Sequence, residues 1–220
     1  HGIFLVCGLL SVAVVAGITI YLVISGLPAI AKVGPIEFLS GQIWNPSNDQ
    51  YGILPFILTS VYGTIGALIL GLPAGLFTAM YLSKYSGKKS GRIIRSAVEL
   101  LAGIPSVVYG LVGMIVIVPA IQAAFGLSSG ATLLAAILVL AVMILPYVIN
   151  VSTTALDAVP KEYEEGSLAL GATKTETYFR VSMRAAKSGI ATAIIQGVGR
   201  ALGEAMAIIM VAGNVANMPG

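Results

Sequence analysis

Long apolar runs constrain this chain more than any other feature. Five of them cover roughly residues 3–30, 54–82, 97–120, 131–151 and 189–213. A helix rises about 1.5 Å per residue, so about 20 apolar residues cross a hydrocarbon core of about 30 Å. Each run is long enough, and an all-α integral membrane fold with five spans is expected. Only 10% of the 220 residues are charged and 57% are hydrophobic. A soluble domain carries about a quarter charged residues. So little charge cannot cover a water-soluble body of this size, and lipid must be the solvent for much of it. The first run is too long for a signal peptide and lacks a small-residue cleavage site, so it reads as a span.

The loops between the runs alternate in charge. The loop after the second run holds Lys84, Lys88, Lys89, Arg92 and Arg95, and the loop after the fourth holds Lys161, Lys174, Arg180, Arg184 and Lys187. Those ten are nearly all of the 12 Lys and Arg, which explains the formal charge of +3 without a nucleic-acid partner. By the positive-inside rule both basic loops are cytoplasmic. The amino terminus is then inside, and residues 214–220 end outside. Cys7 is the one cysteine and His1 the one histidine. The first reads as a small apolar residue within a run and the second as a tag remnant, leaving no Cys-based metal cluster and no internal disulfide. No bound cofactor is expected.

Prolines and glycines interrupt the runs: Pro55, Pro73, Pro105, Pro119 and Pro146, with Gly71 and Gly75 in GLPAG. Each proline frees a carbonyl and bends its helix. Small residues four apart let helices approach closely, and Gly199 and Gly203 repeat that spacing. Glu99, four residues after Arg95, reads as a surface ion-pair partner. Trp44 and Tyr51 read as interfacial aromatics or as part of a docking surface on the outer face. Asn150 with Thr153 and Thr154 looks like the end of the fourth span.

Residues 157–187 form a polar excursion that holds ten of the 21 charged residues. Pro160 suits the first position of a helix, where its missing N–H costs nothing. Glu162, Glu164 and Glu165 follow in the first turns, where negative charge meets the positive end of the helix dipole. Gly171 is a helix stop, and Thr173 with Glu176 forms a capping box that starts a second helix. Helix, glycine turn and helix make either a solvated loop or a knob that fits a cleft on a cytoplasmic partner.

Glu165-Gly166-Ser167, three residues, Gly171, nine residues, then Val181-x-Met183 resembles the EAA loop of ABC importer permeases. That family reads Glu-Ala-Ala, three residues, Gly, nine residues, Ile-x-Leu-Pro. Spacing, Glu165 and Gly171 match; Gly166, Ser167, Val181, Met183 and Arg184 depart. WNPSNDQYGILPFI, MRAAKSGI and GVGRALGEAMAIIMVAGN are similar to the phosphate-importing, PstC-type members of the family, and the resemblance covers nearly the whole chain. It implies a MetI-like type I transmembrane domain. Residues 1–53 would be an added N-terminal helix and extracytoplasmic loop, and 54–220 the core, with coupling loop 157–187. Such permeases have six spans, so a sixth is expected beyond Gly220. The implied partners are a second permease subunit in a heterodimer, a cytoplasmic ATPase dimer, an extracytoplasmic phosphate-binding protein, phosphate and membrane lipid. Glu162, Glu165, Gly166, Ser167, Leu168, Ala169 and Gly171 would be the coupling residues.

The fifth run carries Arg200 and Glu204. Counted from Gly189, Arg200 sits near the bilayer midplane, with Glu204 one turn further on the same helix face. A midplane charge costs about 2.5–3.5 kcal/mol on insertion scales, and Arg before Glu is the poorer order against the helix dipole. Stability is therefore a weak reason for the pair. Arginine suits bidentate contact with a tetrahedral oxyanion. On this reading Arg200 lines the substrate path and attracts phosphate, while Glu204 orients it and keeps binding from becoming too tight. The other reading is a buried ion pair that fixes packing or the contact with a second permease.

Three rival functions remain open from residues alone. A permease for sulfate, molybdate or an organic solute shares the loop. A channel or secondary transporter explains the midplane charges but gives the knob no purpose. A membrane enzyme lacks its motifs: there is no H-E-x-x-H, G-x-S-x-G or G-x-x-x-x-G-K-[ST]. Any ATP hydrolysis would belong to a partner.

Overall fold

The computed structural model describes residues 2–213; the expectations for His1 and for residues 214–220 lie outside them. Helices dominate, and the chain divides into two compact units between Leu58 and Thr59.

In the first unit, α1 (Gly2–Val33) is apolar on every side and buries no residue. Gly34, at φ 96°, turns the chain into the short α2 (Pro35–Ser40). A two-residue antiparallel hairpin follows, β1 (Trp44–Asn45) with β2 (Gln50–Tyr51), in which Trp44 pairs with Tyr51. Its tip is the 3₁₀ turn Pro46–Asn48, closed by Asp49 in the left-handed region. The Trp44 ring meets Tyr51 and Phe56 edge to face at 5.8 and 5.7 Å, a preferred geometry for aromatic pairs.

α3 (Leu54–Met80) ends in a wider π turn, Tyr81–Tyr85. α4 (Lys88–Gly103) is amphipathic and stops at Ile104, before Pro105, because the residue before proline is pushed out of the helical region. α5 (Ser106–Val112) continues through a π turn, Gly113–Ile117, into α6 (Val118–Phe125). The third crossing therefore runs from Ser106 to Phe125, not 97–120. Residues 97–103 belong to α4, and the Tyr109 hydroxyl donates to the Leu101 carbonyl at 2.8 Å across the break.

α7 (Leu133–Asp157), N-capped by Thr132, supplies a residue to each of the four buried apolar clusters. It runs past the expected end at residue 151, so Asn150, Thr153 and Thr154 lie inside it. The Thr154 hydroxyl returns to the Asn150 carbonyl at 2.9 Å, and Thr153 is buried. Lipid tails are as apolar as leucine, so helices here associate by close packing at small residues. A Cβ on Gly71 or Gly75 of α3 would lie 2.7 Å from Ile144 or Val148 of α7. The expected close approach at these two glycines is present.

Beyond α7 come α8 (Lys161–Ala169) and α9 (Lys174–Glu176), then a π segment, Thr177–Ser182, and α10 (Met183–Ala185). α11 (Lys187–Leu202) and α12 (Met206–Ala212) meet at a bend of 60°. The fifth apolar run is thus a bent pair of helices rather than one straight helix. Four helices, or five crossings with this pair as one, are long and apolar enough to span a membrane among the described residues.

Candidate functional site: a broken span and a tethered knob

The break between α11 and α12 falls at Gly203–Ala205. Arg200 lies in the last turn of α11, and Glu204 lies in the break itself, so the two do not share one continuous helix face as the spacing predicts. They still pair, Arg200 Nη1 to Glu204 Oε2 at 3.3 Å. The other carboxylate oxygen of Glu204 accepts the Ala207 amide of α12 at 3.3 Å. That amide is one of the N–H groups a helix start leaves without an intrahelical partner. Breaking the helix thus creates a second partner for Glu204, whose side chain is 4% exposed.

Arg200 is held differently. Its guanidinium stands 5.7 Å above the Tyr147 ring of α7, within cation–π range. Its side chain is 33% exposed, yet Nε is buried and has no hydrogen-bond partner among the described residues. The planar fork has five donors in fixed geometry, and the ion pair at Nη1 is its one carboxylate contact among the described residues. An arginine placed this way can accept a small anion on its remaining N–H groups without releasing Glu204. Gly197, one turn earlier, lets α11 lie against α7 and α3: a Cβ there would be 3.3 Å from Val148 and 3.9 Å from Leu68. Gly199 has nothing within 4 Å and Gly203 meets only the Gly199 carbonyl, so this pair makes no helix contact among the described residues. Its spacing ends at the break instead.

The polar excursion folds much as its caps predict. Thr173 and Glu176 form the reciprocal capping box. The Thr173 amide and, next, its hydroxyl donate to the Glu176 carboxylate, which holds its pKa below the ordinary glutamate value. α8 ends at Ala169, and Gly171 takes φ 86°. Pro160 is the residue before the helix rather than its first, a one-residue difference at a fraying end.

Of the seven expected coupling residues, Glu162, Glu165, Gly166, Leu168, Ala169 and Gly171 are exposed. Leu170 stands 91% exposed beside them. Ser167 instead faces inward, its hydroxyl 3.0 Å from that of Thr177. Glu164, adjacent to Glu165, also turns inward to Lys84 at 2.6 Å. Nothing in the sequence singles out that pair, because it joins residues 80 positions apart. Arg95 pairs with Asp157 at 3.1 Å, not with Glu99 as its spacing suggests. Tyr147 was likewise unmarked, one aromatic among many in an apolar run.

Residues 71–219 match the family described as binding-protein-dependent transport system inner membrane component. The chain belongs to that family. It is an ABC importer permease, a multi-pass, non-catalytic transmembrane subunit. The permease is 41% identical over 217 residues to the probable ABC transporter permease protein YqgH of Bacillus subtilis (strain 168), covering 97% of this chain and 70% of that protein. It is 34% identical over 231 residues to the phosphate transport system permease protein PstC of Haemophilus influenzae (strain ATCC 51907 / DSM 11121 / KW20 / Rd), covering 96% and 73%. Among solved structures, a chain of the MetNI methionine ABC transporter in inward facing conformations aligns at TM-score 0.48 and 21% identity, over 68% of this permease and 69% of that chain. The matched region contains both the broken span and the knob of the permease.

Proposed function

We propose that this permease forms the translocation path of an ATP-driven phosphate importer, with Arg200 as the side chain that meets the anion. The observation that carries the reading is the orphaned, buried Nε of Arg200 beside a carboxylate that is itself held twice. A buried donor without a partner costs about 1–3 kcal/mol, a cost that an arriving oxyanion removes. Intramembrane charges commonly face a water-filled path, and the relatives named for phosphate transport agree in substrate class.

The partners in this reading are a second permease subunit, a cytoplasmic ATPase pair and an extracytoplasmic phosphate-binding protein. The two basic loops face the cytoplasm, as does the amino terminus. The exposed side of α8, carrying Glu162, Glu165, Leu168 and Ala169, docks on the ATPase as a coupling helix. The hairpin around Trp44 and Tyr51 lies on the outer face, where the binding protein delivers its cargo. ATP is used by the partner, and no cofactor binds this subunit.

Phosphate uptake into vesicles by the assembled complex tests the assignment. Arg200→Gln is expected to lower uptake by about tenfold or more, the scale of a lost charge-assisted hydrogen bond. Wild-type uptake by that variant overturns it. Sulfate and molybdate serve as competitors, because the YqgH relative carries no substrate in its name; uptake of either in place of phosphate would move the assignment to another oxyanion.

A further inference from the structure

Glu164 and Glu165 are neighbours on α8 with opposite surroundings. Glu165 is exposed. Glu164 Oε1 pairs with Lys84 Nζ at 2.6 Å and accepts the Ser182 hydroxyl at 2.8 Å. The Lys84 and Glu164 side chains are 11% and 17% exposed, and Ser182 is fully buried. Lys84 also donates to the Leu156 carbonyl at 3.1 Å, one of the last carbonyls of α7, which also accepts the amides of Ala158 and Val159 at the helix end. One carboxylate oxygen and one ammonium therefore join four elements: the end of α3, the end of α7, α8 and the returning segment.

Two of the four are π turns. Lys84 lies in Tyr81–Tyr85 and Ser182 in Thr177–Ser182. A π turn inserts a residue into a helix, is rare, and is frequent at functional positions. A partly buried ion pair is weak evidence for stability, since desolvation offsets most of its attraction. Two unusual turns delivering side chains to one weakly stabilising contact point to a positional role. A second tie nearby, in which Arg95 and Ser83 meet Asp157, is exposed and worth less. Tyr85 against Tyr178, edge to face at 5.3 Å, supports the same joint from its outer side.

From the Lys84–Glu164 pair we infer a mechanical joint: it makes the outward-facing coupling surface of α8 move together with the inner ends of α3 and α7. This rests on the importer reading above. Motion of α8 would otherwise be absorbed in the loop after Asp157. With the joint closed, displacement passes to α7. α7 is in contact with α11 at Gly189 beside Ala155 and at Gly197 beside Val148, and α11 carries Arg200. Lys84 and Glu164 are positioning residues; neither touches cargo or nucleotide.

The test uses the complete importer in sealed vesicles and reads ATP hydrolysed per phosphate moved. In Lys84→Gln and Glu164→Gln the complex is expected to assemble and hydrolyse ATP. Phosphate moved per ATP should fall by about tenfold, within the usual range of coupling between sites. The exchanged pair, Lys84→Glu with Glu164→Lys, is expected to recover most of the ratio. An unchanged ratio in the single variants, with only yield or melting temperature reduced, overturns the joint. If the single variants do not assemble, the exchanged pair decides alone: a wild-type ratio supports the joint, and an assembled but uncoupled complex overturns it. A wild-type complex that moves no phosphate would instead refute the phosphate reading and not the joint, which is then decided by the same ratio measured for the oxyanion that the complex does move.

Discussion

Single residues here acquire their behaviour from what lies far away in sequence. Glu176 is one exception, set by its own cap. Its carboxyl titrates below the ordinary glutamate value because the Thr173 amide and hydroxyl donate to the ionised form. A depressed folded pKa contributes stability that is fully present above the unfolded value and is lost as pH falls through the folded one. Acidification below the usual glutamate range should therefore loosen the helix that starts at Lys174. Amide exchange across residues 176–182 is expected to speed up on that acid limb in the wild type. In Glu176→Gln it should stay at a faster, pH-independent level after correction for intrinsic exchange. An acid limb of equal size in Glu176→Gln would mean that another group controls the segment. The capping box was legible because all its parts lie within four residues. The Lys84–Glu164 pair was not, since i,i+4 logic cannot reach across 80 positions. The same logic misassigned Arg95 to Glu99, when the fold offers Asp157.

At the scale of helices, packing is decided by where a Cβ would fit. Gly189 of α11 lies directly against the Ala155 methyl of α7, a neighbour with no flexible end to yield, whereas Gly199 meets nothing within 4 Å among the described residues. Gly189→Ala is expected to destabilise the isolated subunit by about 1–3 kcal/mol through overpacking. Gly199→Ala should stay within about 0.5 kcal/mol, as substitutions away from packed features do. Melting midpoints in lipid nanodiscs compare the two, and equal shifts would contradict the packing described. Apolar runs marked four helices long enough to cross and a bent fifth pair, but not their joints. Pro105 ends α4 and moves the third crossing to Ser106–Phe125. α7 continues past its polar Asn150 and Thr154 because a hydroxyl can return to a carbonyl one turn back. Between α11 and α12, the sequence shows glycines and charges but not a 60° bend. That bend decides what Glu204 does: it caps α12 while holding Arg200.

For the whole molecule, family membership and the polar excursion were both readable in the sequence, one from motif spacing and the other from a change in composition. The structure divides that excursion into an exposed surface and an inner anchor, which side-chain direction along α8 determines and composition does not. Glu162, Glu165, Leu168 and Leu170 face outward, while Glu164 and Ser167 hold the knob to its own unit. A surface of this kind has a purpose only if something grips it. Cross-linking from Leu170→Cys, in a Cys7→Ser background within the assembled transporter, tests this most directly. The expected result is an adduct with the ATP-hydrolysing subunit, and no labelling by a membrane-impermeant thiol reagent applied to the outer face of sealed right-side-out vesicles. Labelling from the outer face, or no adduct with any nucleotide-hydrolysing partner, would contradict it.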